Sequence, residues 1–364
     1  IGAKVFVFAG NETRSYEKFP VKGFLSSMEI PLHIGLVNTK IDSILLVWPD
    51  NSSQGIKVDS NQNNIDIKYQ EGLPRFNYSI VTTRRPGKSY EFSNIAADAN
   101  LQYVHKENSF PEFDREPLMP HMVSTEGPAL SVGDINKDGL DDVFIGASKG
   151  YKSAIFFQQP DGKFKQENQP GLDSDSSYED VDACLIDINN DSFPDLVVAS
   201  GGNEYYGKDQ HLLPRVYLND GKGALIKKED AFDDVYITSS CVAPYDFNND
   251  GFTDLFIGGR VIPWSYGDIP PSYLLQNDGT GKFKDVTANY SKDLQKAGFV
   301  TKALWVDMDG DKKKDLLVSC EWGTIDVYLN ANGKLEKKIL CDKKGWWNTV
   351  LPFDADGDGD IDII

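Results

Sequence analysis

Cysteine and histidine are scarce in this chain, four of each in 364 residues, and their spacing removes several classes of protein. Cys184, Cys241, Cys320 and Cys341 form no CxxC pair and no close cluster, so no zinc site or redox motif is readable. Cys184 and Cys241 stand on apolar stretches and read as reduced core residues. A disulfide between Cys320 and Cys341 has no pattern behind it. His33, His105, His121 and His211 lack metal-ligand spacing. Basic residues are outnumbered, 37 against 56 acidic, for a net charge of −19. The Lys/Arg surface that phosphate neutralisation demands is therefore missing, which counts against a nucleic-acid partner. No apolar run reaches the length of a membrane span. No P-loop or Cys/His pairing is evident. The chain starts at Ile1 without a signal peptide and stops at Ile364 in apparent mid-strand, so both ends read as cut. Any signal or lipid anchor is expected outside the segment.

What is abundant is a repeat. Five segments align: DINKDGLDD from Asp134, DINNDSFPD from Asp187, DFNNDGFTD from Asp246, DMDGDKKKD from Asp307 and DADGDGDID from Asp354. Successive starts lie 47 to 61 residues apart, an interval that suits one four-stranded blade. Strand-like runs precede the loops (ALSV, ACLI, KALWV) and follow them (DVFIGA, DLVVAS, DLFIGG, DLLVSC). A third run comes next (SAIFFQ, PRVYLN, SYLLQN, IDVYLN), then a Gly turn of the hairpin kind. Each unit thus reads strand A, acidic loop, strand B, connection, strand C, turn, strand D. Such units cannot bury both faces alone and must stack. The expected fold is all-β: a propeller of four-stranded blades over 125–364, preceded by a small β domain over 1–72 and a connector over 73–124 that docks onto the first blade.

Calcium wants six to eight oxygens at flexible angles, and these loops are spaced to give them. Side-chain oxygens are expected from positions 1, 3, 5 and 9 and a main-chain carbonyl from position 7. The first loop offers Asp134, Asn136, Asp138, Leu140 and Asp142. The second offers Asp187, Asn189, Asp191, Phe193 and Asp195, the third Asp246, Asn248, Asp250, Phe252 and Asp254. In the fourth the set is Asp307, Asp309, Asp311, Lys313 and Asp315; in the fifth it is Asp354, Asp356, Asp358, Asp360 and Asp362. Gly139, Gly251 and Gly359 fill position 6, where the turn is sharp; Ser192 and Lys312 depart from this in loops two and four. The EF-hand is disfavoured, because the last carboxylate comes at position 9 and leads straight into a strand. Without a cation, three or four carboxylates would crowd each loop and repel. Up to five calcium sites are expected.

These residues resemble the FG-GAP/VCBS repeats of integrin α-subunit propellers over about 125–364. Residues 1–72 resemble the ASPIC/UnbV domain through IGAKV, LHIGL around His33, and DSILLVWPD ending at Asp50, with Asn51 in place of the usual Gly. The order, with GGNEYY, GGRVIP, EWG and GWWN, is similar to long bacterial surface proteins, notably of Bacteroidota; cartilage acidic protein is similar in combining the two modules. The resemblance implies seven blades when complete, the rest lying beyond Ile364.

Antiparallel strands put the A–B loops and C–D turns on one face and the B–C and D–A connections on the other. The latter hold Glu204, Tyr206, Arg260, Trp264, Glu321, Trp322, Trp346 and Trp347, candidates for a sugar or peptide platform. The expected function is a non-catalytic, calcium-binding module outside the cell or on the outer-membrane surface, the periplasm being the alternative. It would bind a protein or glycan, or assemble with other envelope proteins. The competing expectation is a carbohydrate-active enzyme, a propeller-type polysaccharide lyase of a glycan-utilisation system.

Overall fold

The computed structural model describes residues 2–10, 12–19, 21–23, 26–27, 31–35, 41–57, 64–81, 93–331, 333–357 and 359–364. The chain divides into two compact units, Ile1–Ser93 and Asn94–Ile364.

In the first unit, β1 (Lys4–Ala9), β2 (Glu12–Glu17), β3 (Ser43–Val47) and β4 (Ser53–Ile56) form an antiparallel sheet in the order β2-β1-β3-β4. Alternation sends Val5, Val7, Ile44 and Leu46 into one cluster and Phe6, Val47 and Phe76 into another. Asn51 sits in the β3–β4 turn with φ 64. A left-handed residue is required there, and Asn tolerates that region better than most residues other than Gly. Asp50 secures the turn: its Oδ1 accepts from the Ser52 N–H at 2.9 Å and the Ser52 hydroxyl at 2.7 Å.

The second unit is a stack of four-stranded antiparallel sheets. Blade 1 comprises β5 (Leu130–Gly133), β6 (Asp142–Ile145), β7 (Ala154–Gln158) and β8 (Phe164–Glu167). Blade 2 comprises β9 (Asp180–Ile186), β10 (Asp195–Ser200), β11 (Arg215–Asn219) and β12 (Leu225–Lys227). Blade 3 comprises β13 (Thr238–Tyr245), β14 (Asp254–Val261), β15 (Tyr273–Asn277) and β16 (Phe283–Asp285). Within each, chain order equals spatial order, as consecutive hairpins require.

Blade 4 contains β17 (Phe299–Val306), β18 (Asp315–Ala331) and β19 (Lys334–Trp346). β18 spans 17 residues, yet the Asn330 N–H donates to Asp315 Oδ1 at 2.8 Å. Its two ends therefore lie side by side. The chain doubles back around Trp322, where φ is 56, so β18 supplies both strand B and strand C. A fifth unit is represented by the pair β20 (Pro352–Phe353) and β21 (Asp362–Ile363).

Strand B explains why the blades stack. Every residue of β10 and of β14 is buried, a pattern that only a sheet covered on both faces can have. Alternate residues go to opposite neighbours. Leu196 and Val198 join Phe144 and Ile155 of blade 1, whereas Val197 and Ala199 join Leu255 and Ile257 of blade 3. Phe256 faces Leu316 and Val318 of blade 4, and Leu317 meets Val350 and Ile363 of the fifth unit. Each such side chain contributes about 1.5–3 kcal/mol. Cys241 and Cys320 are buried in the cluster between blades 3 and 4, and all four cysteines are free thiols. Burial pushes the Cys241 thiol up to about 11 and Cys320 up to about 12, as expected of inert core residues.

The segment after Asn94 runs across several blades. Tyr103 donates to the Gly146 carbonyl of blade 1, and Arg115 donates to the Asn203 carbonyl beyond β10. Glu116 accepts from the Tyr266 N–H of blade 3 at 3.0 Å, and His121 lies 3.1 Å from Glu321 of blade 4. Instead of docking on the first blade alone, this strap follows the B–C ends of four. Glu112 anchors it, buried and accepting from the N–H groups of Val123 and Ser124 at 2.6 and 2.9 Å.

Candidate metal loops and the opposite face

Each acidic loop is wound around its own carboxylates. The position-1 aspartate takes two backbone N–H groups: Asp134 from Asp138 and Gly139, Asp187 from Asp191 and Ser192, Asp246 from Asp250 and Gly251. In loop four Asp307 accepts from Gly310 and Lys312, and in loop five Asp354 accepts from Gly357 and Gly359. The position-5 aspartates Asp138, Asp191, Asp250 and Asp311 accept from the position-7 N–H of Leu140, Phe193, Phe252 and Lys313 at 2.8–3.0 Å.

Two positions per loop are left-handed. Position 6 has φ between 71 and 95 in all five, including Ser192 at 74 and Lys312 at 71. The departures from Gly thus leave the fold of loops two and four unchanged but strain it. Position 4, not singled out from sequence, is left-handed as well: Lys137, Asn190, Asn249, Gly310 and Gly357. Its signal was available, since four of the five residues are Asn or Gly.

The position-9 aspartates tie loop to blade. Asp142, Asp195 and Asp254 are fully buried and Asp315 nearly so. One oxygen accepts from strand C: from the N–H of Gln158, Asn219, Asn277 and Asn330 respectively, at 2.8–2.9 Å. The other accepts from the position-2 N–H of Ile135, Ile188 and Met308, as Asp362 does from Ala355. Asp254 is held more loosely: its Oδ2 is buried without a well-formed hydrogen bond, although the Phe247 N–H at position 2 still acts on the carboxylate. Burial, and then the charges of Asp250 and Asp246, push its carboxyl up to about 7 against the pull of the Asn277 N–H. Burial likewise lifts Asp195 to about 6 and raises Asp142 and Asp315.

Position 3 separates two kinds of loop. Asn136, Asn189 and Asn248 donate to Asp138, Asp191 and Asp250 at 2.9–3.1 Å. In the last two loops position 3 is acidic. One oxygen each of Asp307, Asp309 and Asp315 lie within 4.8 Å of one another, as do those of Asp354, Asp356 and Asp362. Asp358 lies outside the described residues; Asp360 precedes the final short strand.

Sequence reading passed over Asn219, Asn277 and Asn330, the last residue of each run "YLN" or "LQN". Their side chains donate to the position-2 carbonyl of the preceding blade: Asn219 to Ile135, Asn277 to Ile188 and Asn330 to Phe247, at 2.8–2.9 Å. Each of the first three loops is thereby stapled to the next blade. An Asn closing strand C in three successive units was the sign.

On the opposite face the candidates separate by burial. Arg260 and Glu321 are buried and paired; Arg260 also binds Glu126, with Nε 2.8 Å from its Oε1. Burial pushes the Glu321 carboxyl up, but hydrogen bonds from His121 and the Arg260 guanidinium outweigh it and hold it at about 2. Tyr266 donates to Glu321 at 3.0 Å and accepts from the Trp322 indole N–H at 3.0 Å. Glu204 is engaged by Lys149 and Asn108. The exposed candidates are Tyr206 (57%), Trp264 (53%) and Trp322 (55%). Tyr206 and Trp264 stack at 4.4 Å, and the Arg115 guanidinium lies 5.1 Å from the Trp264 ring. Trp264 and Trp322 both have positive φ, 70 and 56, an uncommon conformation for so large a residue. Trp346 meets Trp322 edge-on at 5.0 Å, while Trp347 donates to the Gly323 carbonyl.

Stacked four-stranded blades, each opened by an aspartate-wound turn, define a β-propeller-like repeat protein. The chain belongs to the FG-GAP-like repeat family, which matches residues 134–198, 187–257 and 307–364. Each match begins at an acidic loop, and together they take in all five. Residues 1–74 match the ASPIC and UnbV family. Among solved structures, the chain is similar to the crystal structure of BBS1N in complex with ARL6DN, soaked with lead. That likeness has 15% identity and a TM-score of 0.20, over 60% of this chain and 84% of that one. At such a score it carries nothing further.

Proposed function

We propose that this is a calcium-stapled propeller module that binds a glycan or protein through the aromatic groups on its B–C face. The observation that carries the calcium reading is Asp254. A fully buried carboxylate, set beside two further aspartates and with one oxygen lacking a well-formed hydrogen bond, is costly unless a cation meets it. The donors are all oxygens, which fits a hard divalent ion. Asp246, Asn248, Asp250 and Asp254 would hold it, as would the matching residues of the other loops. A bound ion would neutralise the carboxylates. The chain's own part is to wind the loop and, through Asn277, to tie strand C of blade 3 to the blade before it.

FG-GAP repeats are often found in binding or adhesion. The exposed, ring-stacked Tyr206 and Trp264 suit the apolar face of a sugar ring, which favours a glycan over a protein ligand. Millimolar calcium outside cells suits loops of this class, so the proposed location is extracellular or the outer-membrane surface. A glycan array probed with the chain in about 1 mM calcium tests the reading. Binding lost in both Trp264→Ala and Tyr206→Ala supports it; release of unsaturated sugar products would favour the lyase, and binding indifferent to both substitutions would remove the platform.

A further inference from the structure

His211 lies in a short turn beyond β10, where Asp209 caps the backbone and accepts both the His211 N–H at 2.9 Å and its Nδ1 at 2.7 Å, through the same Oδ1. With Nδ1 carrying the proton, Nε2 presents a lone pair, and the Ser177 hydroxyl sits 2.9 Å away. The ring is clamped. Tyr205 stacks on it at 4.1 Å, Tyr178 packs against it at 4.8 Å, and the Tyr205 hydroxyl donates to the Ser177 carbonyl at 3.3 Å. Thirty-four residues separate Ser177 from His211, so no local motif announces the arrangement. Ser177 also lines a cavity of about 400 Å³ with Tyr178, Leu213, Arg215, Lys227 and Phe232.

We propose that Ser177, His211 and Asp209 form a nucleophile, base and orienting acid that cleave a carboxylic ester. Nucleophile, base and orienter in hydrogen-bonded series are what acyl transfer through serine requires. The Ser177 Oγ attacks the ester carbonyl as its proton passes to His211 Nε2. The carbon–oxygen bond to the alcohol breaks, His211 returns the proton to the departing alkoxide, and the acyl group remains on Ser177. Water then attacks that acyl group, giving a proton to His211, and the acid leaves as Ser177 Oγ takes the proton back.

The cavity indicates the substrate. Its cations are already matched, Lys227 to Asp175 at 2.9 Å and Arg215 to Asp180. A neutral acyl group therefore fits better than an anionic one, with Tyr178 and Phe232 as apolar wall. Esters, whose alkoxide leaves more readily than an amine, ask least of such a site. Burial nudges the Asp209 carboxyl up, but the two hydrogen bonds from His211 outweigh it and keep it below its ordinary value, as suits an ionised orienting group.

The test is covalent labelling of the intact chain with a fluorophosphonate probe, followed by peptide mapping. The expected result is one adduct, on Ser177, absent from Ser177→Ala. The labelling rate should fall at least about 100-fold in His211→Gln and at least about tenfold in Asp209→Asn. Hydrolysis of p-nitrophenyl acetate should drop in the same order. An unlabelled Ser177 in the unaltered chain overturns the proposal, a result that needs no variant to fold. So does a His211→Gln rate within about twofold of the parent. Neither outcome bears on the calcium loops or the aromatic face.

Discussion

Replacing Asp254 with Asn should change the melting temperature by an amount that depends on the medium. In chelator, the buried Asp254 carboxylate has a firm partner for Oδ1, only the weak pull of the Phe247 N–H besides, and two loop aspartates that repel it. Lifting it from its ordinary value to about 7 costs up to about 4 kcal/mol at neutral pH. Roughly half of that, about 2 kcal/mol, is expected to survive relaxation of the surroundings. Asparagine keeps the acceptor for the Asn277 N–H and sheds the charge. Without metal the variant should therefore melt roughly 4 °C above the parent. With calcium the parent gains about 1.4 kcal/mol for this loop, taking a dissociation constant of about 0.1 mM and about 1 mM ion. The Asp254→Asn variant forfeits most of that, so its advantage should shrink to roughly 1 °C. Paired calorimetric scans in chelator and in calcium decide it. A variant that melts below the parent in chelator, or a gap equal in both media, refutes the reasoning.

Lys312→Gly and Ser192→Gly should each add about 0.5–1 kcal/mol, since relief of a left-handed side chain exceeds the entropy that Gly costs; chemical denaturation would show it, and Lys313→Gly should show no gain. Asn277→Ala should cost about 2–3 kcal/mol, because it strands the buried Ile188 carbonyl and opens the staple between blades 2 and 3; the same change at the half-buried Asn248 should cost far less in chelator. Glu321, held at about 2 when folded, contributes stability that is present above its unfolded value near 4.5 and lost as pH falls towards 2. Glu321→Gln should flatten that acid limb of the melting-temperature profile, and an unchanged limb would speak against the buried ion pair.

Much of the repeat was legible because its chemistry is local. Asp at alternate positions winds a turn by itself, and a continuous apolar run such as DLVVAS has one way to be buried on both faces. Other features depend on distant partners. The bond from Asn219 to Ile135 crosses 84 positions and looks, in sequence, like any strand-ending Asn. Arg260 and Glu321 promised an open, charged platform, yet they neutralise one another through contacts spanning blades 3 and 4. The strap after Asn94 has mixed polarity and no period, so its path over four blades rests on scattered hydrogen bonds and apolar contacts, such as Met119 and Val123 against Val261, that no pattern encodes. Ser177, His211 and Asp209 come together only when the B–C connection folds back against the D–A connection.

Metal content measured on the native chain, beside its melting temperature in calcium and in chelator, tests the loops most directly. The prediction is several calcium ions per chain, up to five, with a melting temperature that falls when they are stripped and returns when calcium is restored. A chain that carries no divalent ion at millimolar calcium, and melts at the same temperature in chelator, would contradict it.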